Sequence, residues 1–388
     1  MRWTLFRTLG VVITLAVAAG AAAAERLLVS PEGTPLSLQQ ALQAARDGDT
    51  IELLPGEYRV GQHLLIENRR LTLRGVGKRP VIHGDGKADG RRALWTQRGG
   101  ELSIENIEFR GARASDGDGA GIRQEGGLLK LIGCAFYDNE HGLLATNDAA
   151  AQIDIQRSLF GMAPKVEGGL HHLLMVGRIG KLSITGSRFQ QGFEGHMIKS
   201  RARESLIAYN FIHDGQRGGA SYEIELPAAG LATVVGNVIG QGSDSQNRVM
   251  VAYGSEGPSW DVNKLHLAHN TFINYKSSPA WFLRVFSDRL PRDTEVVAIN
   301  NLLVGPGVFW LGATGRFEGN RPATLGMLRD AETYAFELPP GSVWRHSGID
   351  PRHIAGRNLS PQAEFEWPEG VRVLSPQRSI WAPGAYQR

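Results

Sequence analysis

The chain is predicted to be all-β: a parallel β-helix solenoid with an N-terminal capping helix and an irregular C-terminal extension. Three observations carry this. A short unit recurs: an apolar strand, then a small residue or Asn, then a large apolar residue. It appears at Ile107-Glu108-Phe109, Cys134-Ala135-Phe136, Ser158-Leu159-Phe160 and Ser187-Arg188-Phe189, and again at Asn210-Phe211-Ile212, Asn237-Val238-Ile239, Asn270-Thr271-Phe272 and Asn301-Leu302-Leu303. Successive units start 23 to 33 residues apart, which suits coils of a solenoid with loops of varied length. Sandwich strands would instead bring turn signals every ~8–12 residues. Finally, 49 Gly and 18 Pro are dispersed along 388 residues, as a fold with many tight turns requires.

Residues 1–24 read as a secretory signal peptide. Arg2 and Arg7 precede an apolar run from Leu9 to Ala19, and Ala22-Ala23-Ala24 offers a small-residue cleavage site. No later apolar run is long enough to span a bilayer, so a soluble periplasmic or secreted protein is expected, without membrane insertion and monomeric. Charge is nearly balanced, 42 basic against 39 acidic residues. A net +3 disfavours bulk nucleic-acid binding, so any basic site must be local. Cys134 is the only cysteine, which rules out an intramolecular disulfide, and its apolar strand context reads as a buried thiol.

Domain boundaries follow from the repeat: residues 25–310 form the β-helix with its cap, and 311–388 the extension. Leu38, Ala41, Leu42 and Ala45 recur at helical spacing and predict one short amphipathic helix. It is followed by Gly48-Asp49-Thr50-Ile51 and Pro55-Gly56-Glu57-Tyr58. This succession resembles the N-terminal cap of right-handed parallel β-helix proteins, where a helix covers the open edge and apolar end of the first coil. Asn at the same corner of successive coils is expected to form a hydrogen-bonded ladder. Beyond about Pro306 the register fades into a segment rich in Pro, Arg and Trp, including Trp344, Trp367 and Trp381. It packs along the solenoid, over its end, or as a wall of a groove.

The chemistry concentrates in residues 195–242. If strands alternate strictly, Ile198 points inward and Met197, Lys199 and Arg201 outward; one coil later Ile224 points inward and Glu223 and Glu225 outward. With His196, Arg203 and Tyr222 nearby, this segment holds groups for proton transfer and for neutralising a carboxylate. The pattern reads equally as a surface salt-bridge ladder. His196 shares parity with Ile198, which suits an inward, hydrogen-bonded residue. His141 lies on an equivalent coil one or two turns earlier, and His171-His172 lack partners at zinc-ligand spacing. Asp116-Gly117-Asp118-Gly119 reads as a turn. Arg284 is a candidate outward cation on a later coil; of Trp281 and Phe282 beside it, one packs in the core and the other can stack on a sugar. No GxSxG, P-loop or dinucleotide fingerprint is present.

Met197-Ile198-Lys199-Ser200 followed by Tyr209-Asn210 resembles the lysine-bearing coil of the chondroitinase B and alginate lyase group of β-helix polysaccharide lyases. In that group the matching Lys is the base, and an Arg on the following coil acts as acid. Here the following strand is Glu223-Ile224-Glu225-Leu226-Pro227, with no Arg at the matching place. The KSRA and ASY-x-I-x-LP segments are also similar to those of a broad group of secreted bacterial β-helix proteins. The resemblance implies β-elimination on an acidic, uronate-containing polysaccharide. In that reading Lys199 is the base, with Arg201 and Arg203 lowering its pKa. Arg201 and Arg203 bind the uronate, Arg284 contributes further along the chain, and Tyr222 or His196 protonates the leaving oxygen. Glu223 and Glu225 are candidate Ca²⁺ ligands. A tight Glu225–Lys199 pair would remove Lys199 as a neutral base. A C5-epimerase, which shares the first step, and a non-catalytic polysaccharide-binding or envelope protein are the alternatives.

Overall fold

The computed structural model describes residues 24–60, 64–84, 92–309, 314–353, 356 and 358–388. All but the last residue of the expected signal segment therefore lie outside the described residues. The chain winds into a right-handed parallel β-solenoid of about ten turns. Three parallel sheets form its walls. Sheet A, from Arg26–Val29 to Arg316–Glu318, has twelve strands; sheet B, from Glu57–Arg59 to Arg321–Ala323, has eleven; sheet C, from Leu64–Glu67 to Gly307–Val308, has ten, counted among the described residues. Pairing continues past residue 310, since Arg316–Glu318 and Arg321–Ala323 still join sheets A and B.

The sheet A-to-B corner explains the sequence repeat. At Asn106, Gly133, Arg157, Gly186, Tyr209, Gly236, His269, Asn300 and Gly319 the backbone takes a positive φ, and the repeat residue follows each one. The left-handed residue turns the chain within one position, so the next side chain points into the bend. There Asn210, Asn237, Asn270, Asn301 and Asn320 form the expected ladder. Each Nδ2 donates to the next Oδ1, at 3.0, 2.9, 3.0 and 2.8 Å. In the earlier coils Ser187 and Ser158 take over, and the amide of buried Cys134 donates to the Ser158 hydroxyl. Burial pushes the Cys134 thiol up to about 11, as expected of a structural cysteine. Two residues into sheet B, Phe109, Phe136, Phe160 and Phe189 stack face to face along the core, with centroids 4.6–5.2 Å apart.

The helix Leu38–Ala44 closes the first coil. Ser37 and Gln40 form a capping box, and Leu38, Ala41 and Leu42 are buried. The C-terminal extension runs along the solenoid. Phe336, Leu338, Phe365, Ala385 and Tyr386 cover Phe211, Val238, Ile273 and Leu302 on the outside of sheet B. Leu359 covers Ala208, Val235, Val297 and Ile299 on sheet A. Of the three placements open to the sequence, packing along the barrel flank is the one adopted, and the outer face of sheet C is left for the charged residues. Among the described residues no helix is long and apolar enough to cross a membrane.

Candidate active site on sheet C

One local irregularity shapes this face. In a regular strand, alternate amides point to the same neighbour. Here the consecutive amides of Leu173 and Leu174 donate to the consecutive carbonyls of His196 and Met197. Those of Met197 and Ile198 donate in turn to Tyr222 and Glu223. Alternation breaks at this pair in each coil, so two adjacent side chains point inward. Met197, expected outward, is fully buried in the core beside Ile198. Glu223, also expected outward, is fully buried, and neither of its carboxylate oxygens has a hydrogen-bond partner. Burial, with Asp214 nearby, raises its carboxyl well above the usual range. Glu223 and Glu225 thus lie on opposite sides of the wall and do not converge on one cation. Among the described residues no group of three or more His, Cys, Asp or Glu is placed to hold a metal.

The same irregularity brings His196 to the outer face with Lys199. Register places Met175, Lys199, Glu225, Ala252 and Arg284 in one row across the sheet. Glu225 Oε2 is 3.0 Å from both His196 Nδ1 and Lys199 Nζ, and Ser255 Oγ donates to its Oε1 at 2.8 Å. Burial would raise the Glu225 carboxyl, but His196, Lys199 and Ser255 outweigh it and hold it at about 2. The lysine is therefore closely paired, the condition under which it does not serve as a neutral base. Arg201 makes a two-pronged contact with Glu256 through Nε and Nη2, at 2.7 and 2.5 Å. Its Nη1 has no partner among the described residues.

His196 belongs to a stack that the sequence did not reveal. His141, His172 and His196 occupy equivalent positions on successive coils, with centroids 5.6 and 4.6 Å apart, and Tyr222 meets His196 edge-on at 4.7 Å. The His196 amide donates to His172 Nδ1 at 2.8 Å, and the His172 amide to His141 Nδ1 at 3.2 Å. These bonds hold His172 and His141 as neutral rings protonated on Nε2. Burial lowers the pKa of all three; for His196, Glu225 opposes the shift, and Lys199 and Arg201 add to it. His196 is thus neutral at neutral pH and only 12% exposed, with Nδ1 against Glu225.

Arg203, expected in this cluster, stands apart. It is exposed at the corner leading into sheet A, 6.0 Å from the Trp260 ring. Glu256, Ser255 and Trp260, whose Nε1 donates to the Arg201 carbonyl, were missed because they arrive on a loop more than fifty residues downstream. A cavity of about 740 Å³ lies beside the face, between the loops joining sheets B and C, lined by Phe193, Glu194, Asp214 and Asp244 among others. Neither His196 nor Lys199 lines it.

No protein-family model matches the chain, and no curated protein matches it. Among solved structures, pectate lyase Pel9A superposes with a TM-score of 0.67 over 95% of this chain and 98% of its own, at 14% identity. The chain has the fold of a pectate lyase. At this identity the likeness is one of fold alone. The PL6 family alginate lyase AlyGC matches at 18% identity and TM-score 0.41, over 77% of this chain and 40% of its own. ORF18 of Geobacillus virus E2 matches at 11% and 0.45, over 78% and 63%.

Proposed function

We propose that the protein is a secreted or periplasmic lyase that cleaves an acidic polysaccharide by β-elimination on the outer face of sheet C. One observation carries the reading: a neutral imidazole, His196, backed by an ionised carboxylate, with Lys199, Arg201 and Tyr222 around it. With Glu225 Oε2 3.0 Å from Nδ1, a proton on Nδ1 is favoured and Nε2 is left as the base. His196, rather than Lys199, is the base. It removes the proton at C5 of the uronate. The C5–H electrons form the C4–C5 double bond, the C4–O bond breaks, and Tyr222 gives the leaving oxygen its proton. Lys199 and the free Nη1 of Arg201 hold the substrate carboxylate as charge develops on it.

The test is the ultraviolet absorbance of the unsaturated uronate product, followed with purified protein on a panel of uronic-acid polymers. A rise is expected, cut by roughly 10²–10⁴-fold in His196→Ala, the range for loss of a general base. Lys199→Ala should weaken substrate binding more than turnover. Because the His196 pKa lies below the usual histidine value, the rate should hold from neutral pH down past 6.5 and fall only in more acid solution. Absence of product on every polymer would sink the reading. Exchange of the C5 proton with solvent, without cleavage, would replace it by epimerisation.

A further inference from the structure

Three coils beyond the proposed reaction centre, Arg284 stands in the same outward row as Lys199. Its guanidinium lies 4.7 Å from the Trp281 ring centroid and 4.3 Å from that of Phe286. Among the described residues no carboxylate lies within ion-pair distance of it, whereas Lys199 and Arg201 are each paired. Tyr222, Val249, Ala252, Trp281 and Phe286 form one apolar patch around this cation. The patch bridges the interval between His196 and Arg284, because Tyr222, Val249 and Trp281 follow His196 on successive coils.

An arginine held between aromatic rings loses little further freedom when it binds an anion, and its planar fork suits a carboxylate. We infer that Arg284, with Trp281 and Phe286, forms a second anionic-sugar subsite, set about three residues along the polymer from the reacting uronate. Resting on the lyase reading, this fixes the direction of the substrate: along the solenoid axis, across the strands of sheet C. Strand spacing of ~4.8 Å puts Arg284 about 14 Å from Lys199. One pyranose unit of an extended polysaccharide advances by a comparable step, so three coils match three sugars. Of the patch, Tyr222, Val249 and Ala252 stand on the intervening coils, and Trp281 and Phe286 stand beside Arg284.

The experiment compares binding of uronate oligosaccharides, from disaccharide to hexasaccharide, to the full chain and to Arg284→Ala, by calorimetry, with elimination rates measured on the same series. Affinity of the wild type should step up on reaching the tetrasaccharide. Arg284→Ala should lose roughly tenfold on tetrasaccharides and longer, and leave di- and trisaccharides unchanged. Arg284→Lys should recover part of the loss, since charge returns without the fork. Thermal melting of each variant separates loss of the subsite from loss of fold. An Arg284→Ala effect equal at every length, or none at any length, overturns the subsite while elimination by the wild type leaves the lyase reading standing. Failure of the wild type to bind or cleave any uronate oligosaccharide overturns both.

Discussion

The outer faces of sheets A and B and the outer face of sheet C are built on the same coils, yet they meet different surroundings. Where Phe211, Val238, Ile273, Val235 and Ile299 point outward, the C-terminal extension lies over them and they are buried. Where Lys199, Glu225, Arg201 and Arg284 point outward, no such cover is laid. The large outward apolar side chains of sheets A and B therefore lie where another segment buries them. Outward charged and aromatic residues in one row mark a face kept for a ligand. The covered faces carry stability; the open face carries the proposed chemistry.

That division can be broken by substitutions on either side. The largest effect is expected for Phe365→Ala. This ring is buried between Phe211 and Trp367, at 5.5 and 5.6 Å, and its loss should cost ~3–5 kcal/mol of stability in chemical denaturation. Activity of the molecules that remain folded should not change; a matching fall in turnover would tie the extension to the site.

Acid should loosen the same covered corner. His269 Nδ1 donates to the Ala382 carbonyl of the extension, and its Nε2 accepts from Asn300. Burial lowers its pKa to about 3 from an unfolded value of 6.5. Between these values the unfolded chain binds more protons than the folded one. Stability is therefore full above about pH 6.5 and is lost as pH falls toward 3. The melting temperature of the wild type should drop over that range more steeply than that of His269→Gln; parallel curves would remove His269 from the account.

A smaller loss is expected within the ladder. Asn237→Ala removes an acceptor for the Asn210 amide and a donor to Asn270, and should cost roughly 1–3 kcal/mol. A change below this range would mean that water enters the corner. Least should come from Glu105→Ala on the exposed part of sheet A. Its 2.7 Å pair with Arg74 is half-exposed, and the loss should stay under about 1 kcal/mol in the same denaturation series.

The ladder and the site differ in how far the sequence foretold them. Asn210, Asn237, Asn270 and Asn301 could be aligned by eye, since each depends on one turn that repeats once per coil. The capping helix and buried Cys134 were legible for the same reason: each is specified by residues within one turn of itself. Lys199, Arg201, His196, Tyr222 and Glu225 were correctly placed in one neighbourhood because they fall on adjacent coils. Lys199, Arg201 and Glu225 face outward as strict alternation predicts, but alternation fails at the pair Met197 and Ile198, so His196, Met197 and Glu223 do not follow it. The extra inward residue there sends Glu223 into the core and His196 out beside Lys199.

What the sequence by itself determined is the coil: its length, its Asn corner and its cap, all set by short-range periodicity and backbone sterics. What only the tertiary structure decided is which groups touch. Whether Lys199 is paired depends on the next coil's register. Whether Arg201 meets a carboxylate depends on Glu256, 55 residues away. Whether the tail covers sheets A and B or walls sheet C depends on where apolar area can be buried. Contacts between coils are fixed by hydrogen-bond register and shape, and neither is written in the spacing of residues along one strand.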